Sequence, residues 1–154
     1  MENFIDMAIQ LALANVTGST GGPFGAVVVK DGKIVGTGQN QVTRLKDPTA
    51  HAEIQAIRDA CRLLNTFQLD GCEIYSSCEP CPMCLGAIFW ARPKAVYFAC
   101  TKEDAAKIGF DDQFIYEQLE VPHKERKIPM IRLYPKEAGT PFNEWAASES
   151  KINY

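Results

Sequence analysis

Cys78, Cys81 and Cys84 follow one another at intervals of three residues in SSCEPCPMC, residues 76–84, with Pro80 and Pro82 between them. Thiols at that spacing near the start of a helix share one face. The positive end of the helix dipole favours the thiolate form that binds a metal. Two thiolates make half of a tetrahedral zinc site. The chain has two histidines, His51 and His123. His51 opens HAE, residues 51–53, at the head of another helical pattern, and is the simplest third ligand. Three protein ligands leave one position for water, the mark of a catalytic zinc. Glu53, two residues after His51, can address that water without binding the metal and pass its proton on. A closed structural site built from His51, Cys78, Cys81 and Cys84 is the alternative, with Glu53 then a helix surface residue.

These side chains need a frame. Residues 3–16 predict a helix with Asn3 as N-cap and Phe4, Met7, Ala8, Leu11 and Ala14 on one face. AVVVK and KIVGTGQ flank Asp31-Gly32, which predicts a hairpin with a two-residue turn. DPTAHAEIQAIRDACRLLN predicts a helix capped by Asp47 or Thr49, with Ile54, Ile57, Cys61 and Leu64 as its apolar stripe. CEIYSS is a short strand, and PCPMCLGAIFWAR a helix starting near Cys81 with proline in its first turn. AVYFA predicts a strand buried on both faces. Residues 102–118 predict a helix interrupted by GFDD, IPMIRLY a late strand, and TPFNEWAAS a last helix with Pro141 in its first turn. Strands alternating with helices predict a layered α/β domain with helices on both faces, and the hairpin makes its sheet mixed.

A chain of 154 residues suits one domain, 1–154, with a core large enough to need no staples. The apolar share of 46% and charged share of 23% are those of a globular protein. The net charge of −3 argues against a nucleic-acid partner. MENFIDMAIQ carries Glu2 and Asp6 but no basic residue, unlike a secretory leader, and no apolar run approaches the ~18 residues of a membrane span. The expectation is a cytoplasmic protein that touches no membrane. In that setting six cysteines imply a metal site and free thiols rather than disulfides. Cys61, Cys72 and Cys100 read as buried free thiols.

HAE together with PCPMC matches the zinc-deaminase signature H-x-E…P-C-x-x-C. Its first cysteine follows the proline, so the match makes Cys81 and Cys84 the ligands and leaves Cys78 out. GGPFGAVVVKDG, GQNQVT, DPTAHAEIQAIR, SSCEPCPMCLGAIFWARP and GFDDQFIY together resemble the bacterial guanine deaminases of the cytidine deaminase superfamily. The resemblance runs through nearly the whole chain. HAE and PCxxC belong to the superfamily at large; GFDD and the C-terminal Tyr154 favour the guanine deaminases over relatives acting on tRNA adenosine or cytosine.

The resemblance implies a three-layer α/β/α cytidine-deaminase-like domain with a mixed central sheet. It implies one Zn2+ per chain on His51, Cys81 and Cys84, and hydrolysis of guanine to xanthine and ammonia. By the same resemblance Glu53 moves a proton to N3 of the base, and Asp112 helps the amine depart as ammonia. Asn40 and the backbone of Ala52 hydrogen-bond the purine edge, while Phe24 and Trp90 pack around the ring. Tyr154 reaches the site of a partner subunit through an exchanged C-terminal segment, about 136–154, in a domain-swapped homodimer. Competing readings are a tRNA adenosine deaminase, a cytosine or nucleoside deaminase, and a zinc-stabilised binding domain without activity. Glu53 weighs against the last, because a closed site has no use for a base.

Overall fold

The computed structural model describes residues 3–154; Glu2, whose charge entered the reading of the N-terminal stretch, lies outside them. The chain divides into two compact units, one ending at Asp112 and one running from Gln113 to Tyr154.

The first unit opens with helix α1, Phe4–Thr17. Asn3 holds the N-cap position, but its side chain makes no capping bond. Ala8, Ala12 and Asn15 are buried, whereas Met7 and Ala14 turn to solvent rather than inward. The cause lies in strand β1, Gly25–Lys30. A Cβ at Gly25 would collide with the Ala8 carbonyl oxygen and stand 2.7 Å from the Ala12 nitrogen. The helix backbone comes that close, so its contact face is the alanine face. Strand β2, Lys33–Gln39, returns antiparallel to β1 through Asp31 and Gly32, both with positive φ (49° and 73°). That is the tight turn which Asp-Gly favours.

A short helix α2, Val42–Leu45, precedes helix α3, Ala52–Leu64. The predicted helix therefore starts later than Asp47 or Thr49, and His51 holds its N-cap position. Asp47 accepts instead from the Thr49 amide and hydroxyl at 2.8 and 2.7 Å, closing a turn before the helix. Strand β3, Cys72–Cys78, helix α4, Pro82–Ala91, strand β4, Ala95–Cys100, and helix α5, Lys102–Lys107, complete the ordered elements of this unit.

The strands lie in the order β2-β1-β3-β4, with β3 and β4 parallel and the other pairs antiparallel. α1 packs on β1 and β3 from one side, with Phe4 against Tyr75 at 5.4 Å between rings. α3 and α4 cover the other side over Ala26, Val28, Ala52, Ala56, Ala60, Ile74 and Ile88. The predicted three layers and mixed sheet are present.

The closest packing is between α3 and β2. A Cβ at Gly38 would collide with the Ala52 carbonyl oxygen, and one at Gly36 would stand 2.6 Å from that of Ala56. The fully buried face of α3 is accordingly Ala52, Glu53, Ala56 and Ala60, while the predicted stripe of Ile54, Ile57, Cys61 and Leu64 flanks it half-buried. At the outer edge of β2, the Thr37 amide donates to the Asp59 carboxylate at 3.0 Å.

The strand AVYFA departs from its prediction. β4 ends the sheet and is mostly exposed, with Tyr97 46% and Phe98 48% accessible. Its apolar composition mimics a strand buried on both faces, but among the described residues no strand pairs beyond it. Cys100 is exposed for the same reason, contrary to its reading as a buried thiol; Cys72 is buried and Cys61 half-buried.

The second unit holds helix α6, Gln113–Glu120, a 3-10 turn, His123–Glu125, and helix α7, Thr140–Ala147. None of its residues is fully buried. IPMIRLY forms no strand: residues 129–135 have no regular structure. A strand needs a neighbour to hydrogen-bond, and this unit offers none. Among the described residues no helix is long and apolar enough to cross a membrane.

Replacing Gly38 by alanine should lower stability by about 3 kcal/mol, since backbone has to give way to the new methyl. Thermal denaturation checks this; an unchanged midpoint would show that α3 can retreat from β2 freely.

Candidate functional site

Two helix starts face one another. His51 is the N-cap residue of α3, Cys81 that of α4, and Cys84 lies in the first turn of α4. His51 Nδ1 is 3.5 Å from Cys81 Sγ and 3.5 Å from Cys84 Sγ. All three donor atoms lie within 4.8 Å of one another, and among the described residues this is the one such group. Zinc with bonds of about 2.3 Å to sulfur and about 2.0 Å to nitrogen sets tetrahedral S···N separations of about 3.5 Å. The donor set and its spacing therefore fit Zn2+, with three ligands rather than four.

The thiols are tuned for this role. Cys81 is lowered to about 4, first by the hydrogen bond from Cys84 and then by His51. Cys84 moves in the opposite direction because it gives that hydrogen bond and is buried. The pair thus holds one thiolate readily, and a divalent cation makes the second favourable. His51 is raised, chiefly by its hydrogen bond with Cys81. Cys78 stays outside the cluster. Its thiol donates to the Thr101 carbonyl at 3.5 Å, and burial raises it to about 11. The closed four-ligand alternative loses its fourth ligand on this geometry.

Glu53 is buried, only 7% exposed, on the first turn of α3. Burial is the main cause that raises its carboxyl above the usual range. Its Oε1 accepts from the Ser76 hydroxyl at 3.3 Å and its Oε2 from the Cys84 thiol at 3.4 Å. As a metal ligand Cys84 has no proton to give, which leaves Ser76 to orient the carboxylate. Sequence reasoning missed Ser76. The one signal was alternation in CEIYSSC, which puts Ile74, Ser76 and Cys78 on the side of the sheet that α3 covers.

A second group gathers around the GGPFG segment. The Asn40 amide donates to the Phe24 carbonyl at 3.1 Å, and Asn40 Oδ1 accepts from the Val42 amide at 3.3 Å. Asn40 is buried, 8% exposed. Phe24 meets Phe110 edge to face, 4.9 Å between ring centroids, which folds GFDD against GGPFG. Phe110 is a further residue the sequence did not single out. Asp112, half-buried, is raised mainly by burial, with the nearby Cys81 thiolate adding to it. Ala52 is the first residue of α3 and fully buried. Trp90 lies on α4, 63% exposed, about 9 Å along the axis from Cys84 at 1.5 Å per residue. Tyr154 belongs to the second unit, where it is exposed.

A histidine and two cysteines on opposed helix starts, with a buried glutamate two residues from the histidine, suit a metal-activated water with a base beside it. Residues 1–100 match the family described as the cytidine and deoxycytidylate deaminase zinc-binding region. The chain belongs to this deaminase family. Within the family it is 54% identical over 153 residues to a guanine deaminase of Bacillus subtilis, covering 99% of this chain and 98% of that protein. A tRNA-specific adenosine deaminase of Aquifex aeolicus is 52% identical over 77 residues, 50% of this chain and 51% of that protein. The X-ray structure of guanine deaminase from Bacillus subtilis superimposes with a TM-score of 0.96, covering 98% of this chain and 96% of that one. A guanine deaminase from Nitrosomonas europaea, 35% identical, gives 0.67 over 71% of this chain and 63% of that one.

For this deaminase, Cys81→Ser should abolish stoichiometric zinc, while Cys78→Ser should keep one zinc per chain. Elemental analysis of the purified variants measures both; zinc loss in Cys78→Ser would restore the closed site.

Proposed function

We propose that the chain is a cytoplasmic enzyme of purine metabolism that hydrolyses guanine to xanthine and ammonia. The reading rests on the full-length match to a guanine deaminase, where the tRNA deaminase matches half of the chain. The net charge of −3 agrees with a small purine base rather than RNA as substrate. The absence of disulfides among its six cysteines agrees with a reducing compartment.

Zinc held by His51, Cys81 and Cys84 would supply Lewis acidity that makes water nucleophilic at neutral pH. Glu53 does the proton work. Buried and basic, it accepts a proton from the attacking water and delivers it to N3 as the oxygen joins C2. The C2–N bond then breaks, and the second proton of that water must reach the amine, so that ammonia rather than an amide ion departs. Asp112, raised by burial, shares that delivery with Glu53. Asn40 Nδ2 and the Ala52 amide hydrogen-bond the purine edge, while Phe24 and Trp90 pack against the ring.

The working form is proposed to be a homodimer with exchanged C-terminal segments. Two observations support it. β4 is an open, apolar sheet edge, and the second unit leaves Ile128, Ile131, Leu133, Tyr134, Phe142 and Trp145 exposed. Such surfaces are costly in water unless covered. Exchange over about 136–154, together with the strand-like 128–134, would cover both and carry Tyr154 to the partner's site.

The deciding experiment measures ammonia release from guanine, cytosine, cytidine, adenosine and a tRNA anticodon stem-loop. Turnover of guanine is expected; turnover of the stem-loop or of cytosine instead would replace the substrate. Glu53→Gln should keep its zinc and lose about 10³-fold or more in turnover; retained activity would assign the proton work elsewhere. Removing residues 151–154 should leave zinc content unchanged and depress turnover, and a fully active truncation would remove Tyr154 from the site.

A further inference from the structure

Asn15, near the end of α1, is the one buried polar side chain of that helix, 1% exposed. It carries no part of the zinc chemistry. Every polar group of its amide is nevertheless committed. One Nδ2 hydrogen goes to the Gly22 carbonyl and the other to the Asn40 carbonyl, each at 2.8 Å. Its Oδ1 accepts from the Thr20 hydroxyl at 2.6 Å. Its main-chain carbonyl accepts from the Thr20 amide at 2.9 Å. A single side chain thus ties together the end of a helix, the GGPFG segment and the exit of β2.

The packing around it is closed. A Cβ at Gly21 would collide with the Asn40 carbonyl oxygen and stand 2.7 Å from Asn15 Nδ2. Gly21 therefore keeps the space into which the amide is threaded. The Asn40 amide in turn donates to the Phe24 carbonyl. Both faces of the Asn40 main chain are held, one by Asn15 and one by Phe24. Its side-chain oxygen is taken by the Val42 amide.

We infer that Asn15 is a positioning residue for substrate binding: its amide clasps the Asn40 and Gly22 carbonyls and so fixes the pose in which Asn40 and Phe24 receive the base. This rests on the reading of Asn40 and Phe24 as base-contacting residues of a guanine deaminase. The Asn15 side chain bonds Gly22, Asn40 and Thr20 rather than the metal ligands, and acts through the backbone of Asn40 and Gly22. The hydroxyl of Thr20 has a matching part. By donating to Oδ1 it satisfies the other end of the amide and adds to the hold of the two carbonyls on its orientation. Without it the buried Oδ1 loses its side-chain donor and the amide is held less firmly.

The physical consequence is a split between binding and chemistry. Loosening the clasp costs the base its prepared edge, while His51, Cys81, Cys84 and Glu53 sit on α3 and α4 and are untouched. Losing a buried hydrogen bond that organises a site corresponds to a change of about tenfold. The effect should therefore fall on KM.

The test compares Asn15→Asp and Thr20→Val with the wild-type holoenzyme. Asn15→Asp replaces both donors by an acceptor facing two carbonyl oxygens. Thr20→Val removes only the orienting hydroxyl, at an exposed position where folding is not at stake. Zinc content, thermal midpoint, and kcat and KM for guanine are measured for each. The expected result is one zinc per chain, kcat within about threefold of wild type, and KM raised about tenfold in Asn15→Asp and about threefold in Thr20→Val. In an Asn40→Ala background the Thr20→Val change should cost less in kcat/KM than in the wild type, because only the Phe24 part of its route remains. A normal KM in Thr20→Val, or an equal loss with and without Asn40, would overturn the clasp and leave Asn15 a purely structural residue. Should Asn15→Asp fail to fold, Thr20→Val with its cycle decides alone. Absence of guanine turnover in the wild type is a different failure: it overturns the functional reading, and the clasp as stated with it.

Discussion

The site depends on a helix lying so close to a strand that nothing larger than an alanine methyl fits between them. α3 meets β2 where Gly36 and Gly38 face the carbonyls of Ala56 and Ala52. Backbone against backbone leaves little room for sliding, because interiors are packed like crystals and every displaced atom meets another. The first turn of α3 is the part so held, and it carries His51, Ala52 and Glu53. α4 approaches the same core through Ile88 and Ala91 and brings Cys81 and Cys84 from the opposite side. A ligand triangle 3.5 Å on two sides is thus a result of how two helices are seated rather than of contacts made by the ligands themselves.

Electrostatics then divides the labour within a small volume. Two helix starts aim their positive ends at the same point, which suits thiolates. Burial works on Glu53 in the other sense and raises it. A group that must both take and return a proton is best poised near the working pH, and burial is the cheapest way to move a carboxyl there. Cys78, three residues from Cys81, shows how local these effects are: hydrogen bonds from Cys84 and His51 lower Cys81, while burial raises Cys78.

Much of this was legible in the residues. Residue types and spacing pointed to a metal held by His51 and the cysteines with Glu53 beside it, and Asp31-Gly32 announced the hairpin. The proline before Cys81 separated ligand from bystander only through the family signature. What sequence periodicity hid was packing by small residues. The stripe of Ile54, Ile57, Cys61 and Leu64 looked like the buried face of α3, yet alanines are buried because glycines stand opposite. Likewise AVYFA has the composition of a central strand, but whether a strand has a neighbour is a property of the whole sheet. IPMIRLY has strand composition and no partner, the same problem seen from the other side. Ser76 and Asn15 were invisible because their importance lies in which polar atoms they meet across the fold.

The bond between the Thr37 amide and Asp59 closes one flank of the sheet. An arriving strand would find that donor occupied by a charged carboxylate, and it would have to desolvate Asp59 and Arg62 to compete. β4, at the other end of the sheet, is apolar and mostly exposed. The two edges of the sheet therefore differ in character: at Thr37 an incoming strand must compete with a charged carboxylate, whereas along β4 it would meet apolar side chains.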